Sequence, residues 1–222
     1  MIDHTALKPW VGRDEVLKLC GEARERDFAT VFINSCWVPL AVRELRGSPV
    51  KVGTTIGFPL GACMTSVKVF EAVEAVRAGA GEVDMVMNIG ALKDGDSESA
   101  LNDMRAVVEA ARAEAARAGV EVVVKVIIET CYLDDAHKVL ASKLVVQAGA
   151  DFVKTSTGFG SGGATVEDVR LISSVVAGRA RVKAAGGIQT LSQAKALIEA
   201  GASRLGTSRG VALDDEMGAT TA

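Results

Sequence analysis

Aromatic residues are scarce in this chain. Phe, Trp and Tyr make up 4% of 222 residues, and Tyr132 is the single tyrosine. Stacking platforms for nucleic-acid bases need such rings, so that class of function is disfavoured. No positive charge compensates: the formal net charge is −3, which leaves no electrostatic case for nucleic acid or an anionic membrane. An anionic ligand must therefore be held by a local site. Only two histidines occur, and the four cysteines (Cys20, Cys36, Cys63 and Cys131) form no C-x-x-C pair. Zinc-site spacing is thus absent. Unpaired cysteines of this kind suit a reducing, cytoplasmic setting. No charged-then-apolar leader opens the chain, and no apolar run reaches the length of about 18 residues that a membrane span requires.

What the chain does have is alternation. Short β-branched runs take turns with alanine-rich amphipathic segments. The pattern predicts strands over 29–34, 51–57, 82–88, 120–129, 151–157, 181–186 and 204–208. It predicts helices over 13–26, 38–46, 66–78, 97–118, 134–148, 166–176 and 191–200. In the helix over 66–78, Val69, Val73 and Val76 are read as the buried face. Gly79, Gly119, Gly149 and Gly201 each stand between a helix and the next strand, where a left-handed closing residue is wanted.

Repeated βα units imply a parallel sheet covered by helices. Seven strands fit an open doubly wound sheet, or a closed barrel with one more. Ile2-Asp3-His4-Thr5 can supply the eighth, placed first. With no early G-x-G-x-x-G turn, the favoured architecture is a single (β/α)8 barrel spanning 1–222 as one domain, with 210–222 as a tail.

In such a barrel the strand C-terminal ends form the catalytic face. The polar residues that interrupt apolar strands are therefore read as a set: Asp3 and Thr5, Asp84 and Asn88, Lys125 and Glu129, Lys154 and Thr157, and Lys183. Lys154 lies in Asp151-Phe152-Val153-Lys154-Thr155-Ser156-Thr157-Gly158, and Lys183 in Arg181-Val182-Lys183-Ala184-Ala185-Gly186-Gly187. A buried ammonium is costly unless it is paired or loses its proton, and an amine that has lost its proton is a nucleophile. Two inward lysines make each other more acidic. The plainer readings are a rim lysine with its head in water for Lys154 and a surface residue beside Arg181 for Lys183. Lys125 serves equally well as a structural ion pair, and Asp84 either moves protons or balances charge.

Glycine clusters follow three strands: 158–163, 186–187 and 206–210, the last including Ser208 and Arg209. Loops after strands seven and eight of such barrels often hold phosphate on backbone N–H groups. Gly158, Gly186, Gly187, Ser208 and Arg209 are thus candidate phosphate contacts, with Asp3, Thr5 and Thr157 beside them. His4 lies near the first strand's polar end and His137 on a helix; neither belongs to a triad pattern.

These stretches, with Gly57-Phe58-Pro59-Leu60-Gly61, Glu82-Val83-Asp84-Met85-Val86, Lys125-Val126-Ile127-Ile128-Glu129-Thr130 and Gly206-Thr207-Ser208, resemble the deoxyribose-phosphate aldolases, a family of class I aldolases. The resemblance runs end to end. It implies that Lys154 is the Schiff-base lysine, Lys183 its activating partner, Asp84 part of a proton relay, and Gly158, Gly186, Gly187 and Ser208 the phosphate surroundings. It also implies cleavage of 2-deoxy-D-ribose 5-phosphate to glyceraldehyde 3-phosphate and acetaldehyde, with no metal and no organic cofactor, in a homo-oligomer (dimer or tetramer). Alternatives are a Schiff-base barrel aldolase for another sugar or keto acid, and a silent sugar-phosphate-binding barrel. The chain departs from the family pattern in several places. It starts at its first strand, without a helical lead-in. Gln189 stands where relatives usually carry arginine, and Arg209 where many carry a second serine. Phe32 replaces a cysteine, and a C-terminal tyrosine is missing.

Overall fold

The computed structural model describes residues 1–221, with side chains through residue 219. Eight parallel strands close into a barrel in sequence order. They are β1 (Ile2–Ala6), β2 (Thr30–Ile33), β3 (Lys51–Ile56), β4 (Glu82–Val86), β5 (Val123–Ile127), β6 (Phe152–Lys154), β7 (Arg181–Ala185) and β8 (Arg204–Thr207). The short opening segment is indeed the eighth strand: Ile2 pairs with Leu205 of β8, and Asp3 with Thr30 of β2. The helices are α1 (Arg13–Glu25), α2 (Val38–Glu44), α3 (Thr65–Arg77), α4 (Ile89–Lys93), α5 (Ser97–Arg117), α6 (Asp135–Gln147), α7 (Val166–Val176), α8 (Leu191–Glu199) and α9 (Gly210–Thr221). Among the described residues no helix is long and apolar enough to cross a membrane.

The apolar core lies between the sheet and the helices. Val31, Val83, Val124, Val126, Val153 and Val182 point outward from the strands onto Ala23, Ala75, Val107, Val145 and Ile172 of the helices. Alternation along each strand then sends the polar residues inward, in layers drawn from alternate strands. Thr30, Glu82, Phe152 and Arg204 form the floor. Asp3, Gly53, Lys125 and Lys183 form the next layer. Phe32, Asp84, Lys154 and Gly206 lie above it. Two positions in this stack leave little room for a side chain. A Cβ on Gly53 would stand 2.5 Å from the Phe32 ring, and one on Gly206 would stand 3.0 Å from Lys183 Cε.

Several elements differ from expectation for local reasons. The strand over 151–157 ends at Lys154, because the Thr155 hydroxyl takes over the ladder. It donates to Ala185 O at 3.3 Å and accepts from Ala185 N at 3.2 Å. Asn88 leaves the strand and caps α4, its Oδ1 accepting from Ala91 N at 3.1 Å. The buried face of α3 runs through Lys68, Ala72, Ala75 and Val76, while Val69 and Val73 only flank it. A lysine displaces the valines because its Nζ finds Asp103 Oδ2 of α5 at 2.6 Å and Val86 O at 3.0 Å. Gly79, Gly119, Gly149 and Gly201 all have positive φ, as their helix-closing positions require. Within 210–222, read as a tail, Gly210–Thr221 is helix α9, and Ala222 lies outside the described residues.

Candidate active site

The inward layers place three lysines and an arginine among three carboxylates. Burying an ion costs far more than a neutral side chain unless partners replace water. Lys125 and Lys183 are among the largest fully buried side chains of the protein, and Lys154 is 3% exposed. Lys125 Nζ donates to Glu82 Oε2 at 2.5 Å and to Asp84 Oδ1 at 2.9 Å. Lys183 Nζ donates to Asp84 Oδ2 at 2.7 Å and also lies 2.5 Å from Asp3 Oδ2. That second contact is off the line of a hydrogen bond, so it is purely electrostatic. Arg204 reaches Asp3 Oδ1 at 2.6 Å and Glu82 Oε2 at 3.2 Å. Lys154 has one carboxylate contact, Asp84 Oδ2 at 2.8 Å, and it shares that oxygen with Lys183.

The charge balance follows. Lys125, Lys154, Lys183 and Arg204 face Asp3, Glu82 and Asp84, so full ionisation leaves one positive charge in excess. The proton with the weakest hold leaves first. Burial pushes Lys154 down, Lys183 and Lys125 push it further, and Asp84 opposes; the outcome is a pKa lowered to about 8. Burial alone would also lower Lys125, but Asp84, Asp3 and Glu82 outweigh it and raise that group. Burial favours the neutral form of Asp84, yet Lys125, Lys154 and Lys183 prevail and hold it well below the usual carboxylate range. Asp3 is likewise lowered, against burial, by Lys183, Lys125 and Arg204. Phe32 adds a dry surface: its ring lies 3.8 Å from Lys183 Nζ, 4.5 Å from Lys125 Nζ and 5.7 Å from Lys154 Nζ.

Lys154 and Lys183 are direct partners across β6 and β7. Arg181, on the same face of β7 as Lys183, emerges at the floor and stacks on Phe152 at 4.0 Å. Lys183 is therefore not a surface residue beside Arg181: the two share a face of β7, but Lys183 is buried and Arg181 is exposed.

A cavity of about 340 Å³ opens at the strand C-terminal ends. Lys154 lines it, whereas Asp84, Lys183, Lys125 and Arg204 stand behind. Gly206, the side-chain-free member of the Lys154 layer, also lines it, and so opens a path to the amine. Thr5, Thr157, Gly158, Gly186, Gly187 and Ser208 complete the set that the structure brings together. Two expected members lie elsewhere. Asp3 is fully buried in the ion network, and Arg209 faces a neighbouring cavity of about 420 Å³ beside His4 and Lys18. The Thr157 hydroxyl is already engaged: it donates to Glu129 Oε2 and accepts from Phe159 N at 3.0 Å. Glu129 is buried, with φ of 53°, and its carboxylate also accepts from Thr157 N. It ties the loop after β6 to the end of β5. The sequence reading missed Arg204, a polar residue at a strand's first position, and Lys8, which lines the cavity from the loop after β1.

His4 points away from this site, with Nε2 bonded to Glu22 Oε2 at 2.8 Å. His137 Nδ1 meets Asp134 Oδ1 at 2.7 Å at the start of α6. Among the described residues no group of three or more His, Cys, Asp or Glu side chains is arranged to hold a metal ion.

A closed parallel barrel whose cavity exposes one depressed lysine is the frame of an aldolase, a carbon–carbon lyase. The chain belongs to the DeoC/LacD family of aldolases, whose sequence profile matches residues 2–219. The deoxyribose-phosphate aldolase of Carboxydothermus hydrogenoformans is 56% identical over 213 residues, covering 96% of this chain and 92% of that one. The Bacillus cytotoxicus enzyme of that name is 54% identical over 222 residues, covering 99% and 96%. Among solved structures, a tetrameric deoxyribose phosphate aldolase from Aeropyrum pernix superposes with a TM-score of 0.89 at 30% identity, covering 99% of this chain and 90% of that one.

Proposed function

We propose that this barrel, acting as one domain, cleaves 2-deoxy-D-ribose 5-phosphate reversibly to glyceraldehyde 3-phosphate and acetaldehyde through a Schiff base on Lys154. The observation that carries the reading is access: of the four cations inside the barrel, Lys154 alone lines the cavity, and it is the one whose proton is loosely held. The neutral amine attacks the open-chain aldehyde carbon. The carbinolamine loses water to give an iminium, which takes up the electron pair as the C2–C3 bond breaks. The resulting enamine is protonated at carbon, and hydrolysis frees acetaldehyde and Lys154. Asp84 Oδ2 bridges Lys154 and Lys183, so it lies on a continuous path for the protons that these steps exchange. The backbone of Gly158, Gly186 and Gly187, with Ser208, forms the phosphate end. The names of the relatives support the substrate.

Trapping tests the reading. Sodium borohydride added with acetaldehyde should leave an ethyl group on the peptide that contains Lys154, seen by mass spectrometry. An active enzyme with an unmodified Lys154 would overturn it. Acetaldehyde offered beside pyruvate and dihydroxyacetone phosphate separates this donor from those of other barrel aldolases.

We also infer a homo-oligomer in the cytoplasm. The relative described as tetrameric supports the first part, as does an exposed apolar patch of Leu60, Met64, Val67 and Phe70 at the start of α3. The four free cysteines support the second.

A further inference from the structure

The cavity that exposes Lys154 is poor in positive charge for one that receives a phosphate. Its lining carries three ionisable side chains: Lys8, Glu15 and Lys154. Lys154 reacts as a neutral amine and is committed to the carbonyl end. Arg209 lines the neighbouring cavity, with Ser208 at the boundary between the two. Gln189 is neutral, and its backbone N–H is already given to Gln193 Oε1 at 2.8 Å. Glu15, on α1, disfavours an anion on its own side and leaves the glycine side to the phosphate. Lys8 remains.

Its surroundings suit it to that task. The Lys8 ammonium lies 4.3 Å from the centroid of the Phe159 ring. Phe159 directly follows Gly158, and its ring meets Phe58 edge-on at 5.1 Å. Loops after β1, β3 and β6 therefore converge at the cavity mouth. Among the described residues Lys8 makes no ion pair, and its ammonium rests on a ring face alone. Attraction of an exposed ammonium to a ring is weak, so the head is held near the site without being occupied. A phosphate offers a charge-assisted hydrogen bond in its place.

We propose that Lys8 is the cation that recognises the 5-phosphate, held over the cavity by Phe159, and so determines the preference for a phosphorylated sugar. The proposal rests on the reading of the cavity as a sugar-phosphate site. Steady-state kinetics of the parent, Lys8→Met and Lys8→Arg, with 2-deoxyribose 5-phosphate and with 2-deoxyribose, test it, together with calorimetric binding of inorganic phosphate. Lys8→Met should raise KM for the phosphorylated sugar about tenfold relative to that for 2-deoxyribose, the scale of one lost charge-assisted hydrogen bond. Lys8→Arg should restore most of the difference, and the parent's phosphate affinity should weaken with salt. An unchanged ratio of KM values, or an equal loss on both sugars, would overturn the proposal. A parent that cleaves neither sugar defeats the function reading instead. The phosphate titration then decides Lys8 alone: weaker binding in Lys8→Met supports it, and equal binding sinks it.

Discussion

The floor of the barrel and its mouth handle charge in opposite ways. Below, seven ionisable side chains are packed together, and all but Lys154 are fixed by two or more charged partners. Above, the cavity is built largely from backbone and small residues, and one exposed lysine stands ready for an anion. The floor sets a protonation state; the mouth selects a ligand. Lys154 belongs to both. Its proton is governed from below, by neighbours that the substrate does not reach, while its nitrogen opens upward. The difference teaches that the lysine is activated by burial together with an excess of one charge, with Lys183 as a member of a set and not as a lone neighbour.

The comparison is most sharply broken by Lys183→Met. Removing that ammonium makes the interior neutral with Lys154 protonated; burial and Lys125 still push the amine down, but its pKa should rise above that of the parent. Lowering the free fraction in this way predicts a rate loss of about tenfold or more at pH 7, recovered progressively above pH 8. A variant with the parent's pH–rate profile would show that the charge count is irrelevant.

Next is the pH dependence of folding. Lys154 titrates at about 8 when folded and near 10.5 when exposed, so between those values the unfolded chain binds the extra proton. Stability from this group should therefore rise across that window, by about 3 kcal/mol, measured by urea unfolding. Lys154→Met should lack the rise. The lowered pKa values of Asp84 and Asp3 have the same sign in a lower window: stability from them rises with pH up to the ordinary carboxylate pKa, is complete above it, and is lost as acid protonates them.

A smaller effect is expected of Gly53→Ala. Its Cβ would press on the Phe32 ring, which cannot retreat from the lysines, and overpacking of this kind costs about 1–3 kcal/mol. Thermal unfolding measures it. Smallest is Arg209→Ala, which should alter KM for the phosphorylated sugar by no more than about twofold, since the guanidinium faces the other cavity. A loss as large as that of Lys8→Met would return Arg209 to the site.

Much of the barrel was legible because its signals are local. Period-two strands, helix-closing glycines and the run of βα units each depend on a few neighbouring residues. Lys154 and Lys183 stood out for the same reason, as polar breaks in apolar strands before glycines. Asp3 looked like a ligand contact because a strand end alone does not tell which charges wait inside; Arg204 and Lys183 claim it. Arg209 looked like a phosphate contact because its place in the chain, after the last strand, does not say which way the side chain leaves the loop. Lys8 carried no signal, since a lysine before a proline is ordinary until Phe159, from a distant loop, comes to lie beneath it.

The sequence by itself determined the alternation of elements and the two lysines on adjoining strands, because these follow from short-range periodicity. Only the tertiary structure decided that Lys154 holds its proton loosely and that Asp84 joins three ammonium groups. A pKa is set by the charges within a few ångströms and by the absence of water. Here those charges come from β1, β4, β5, β7 and β8, which meet only when the barrel closes.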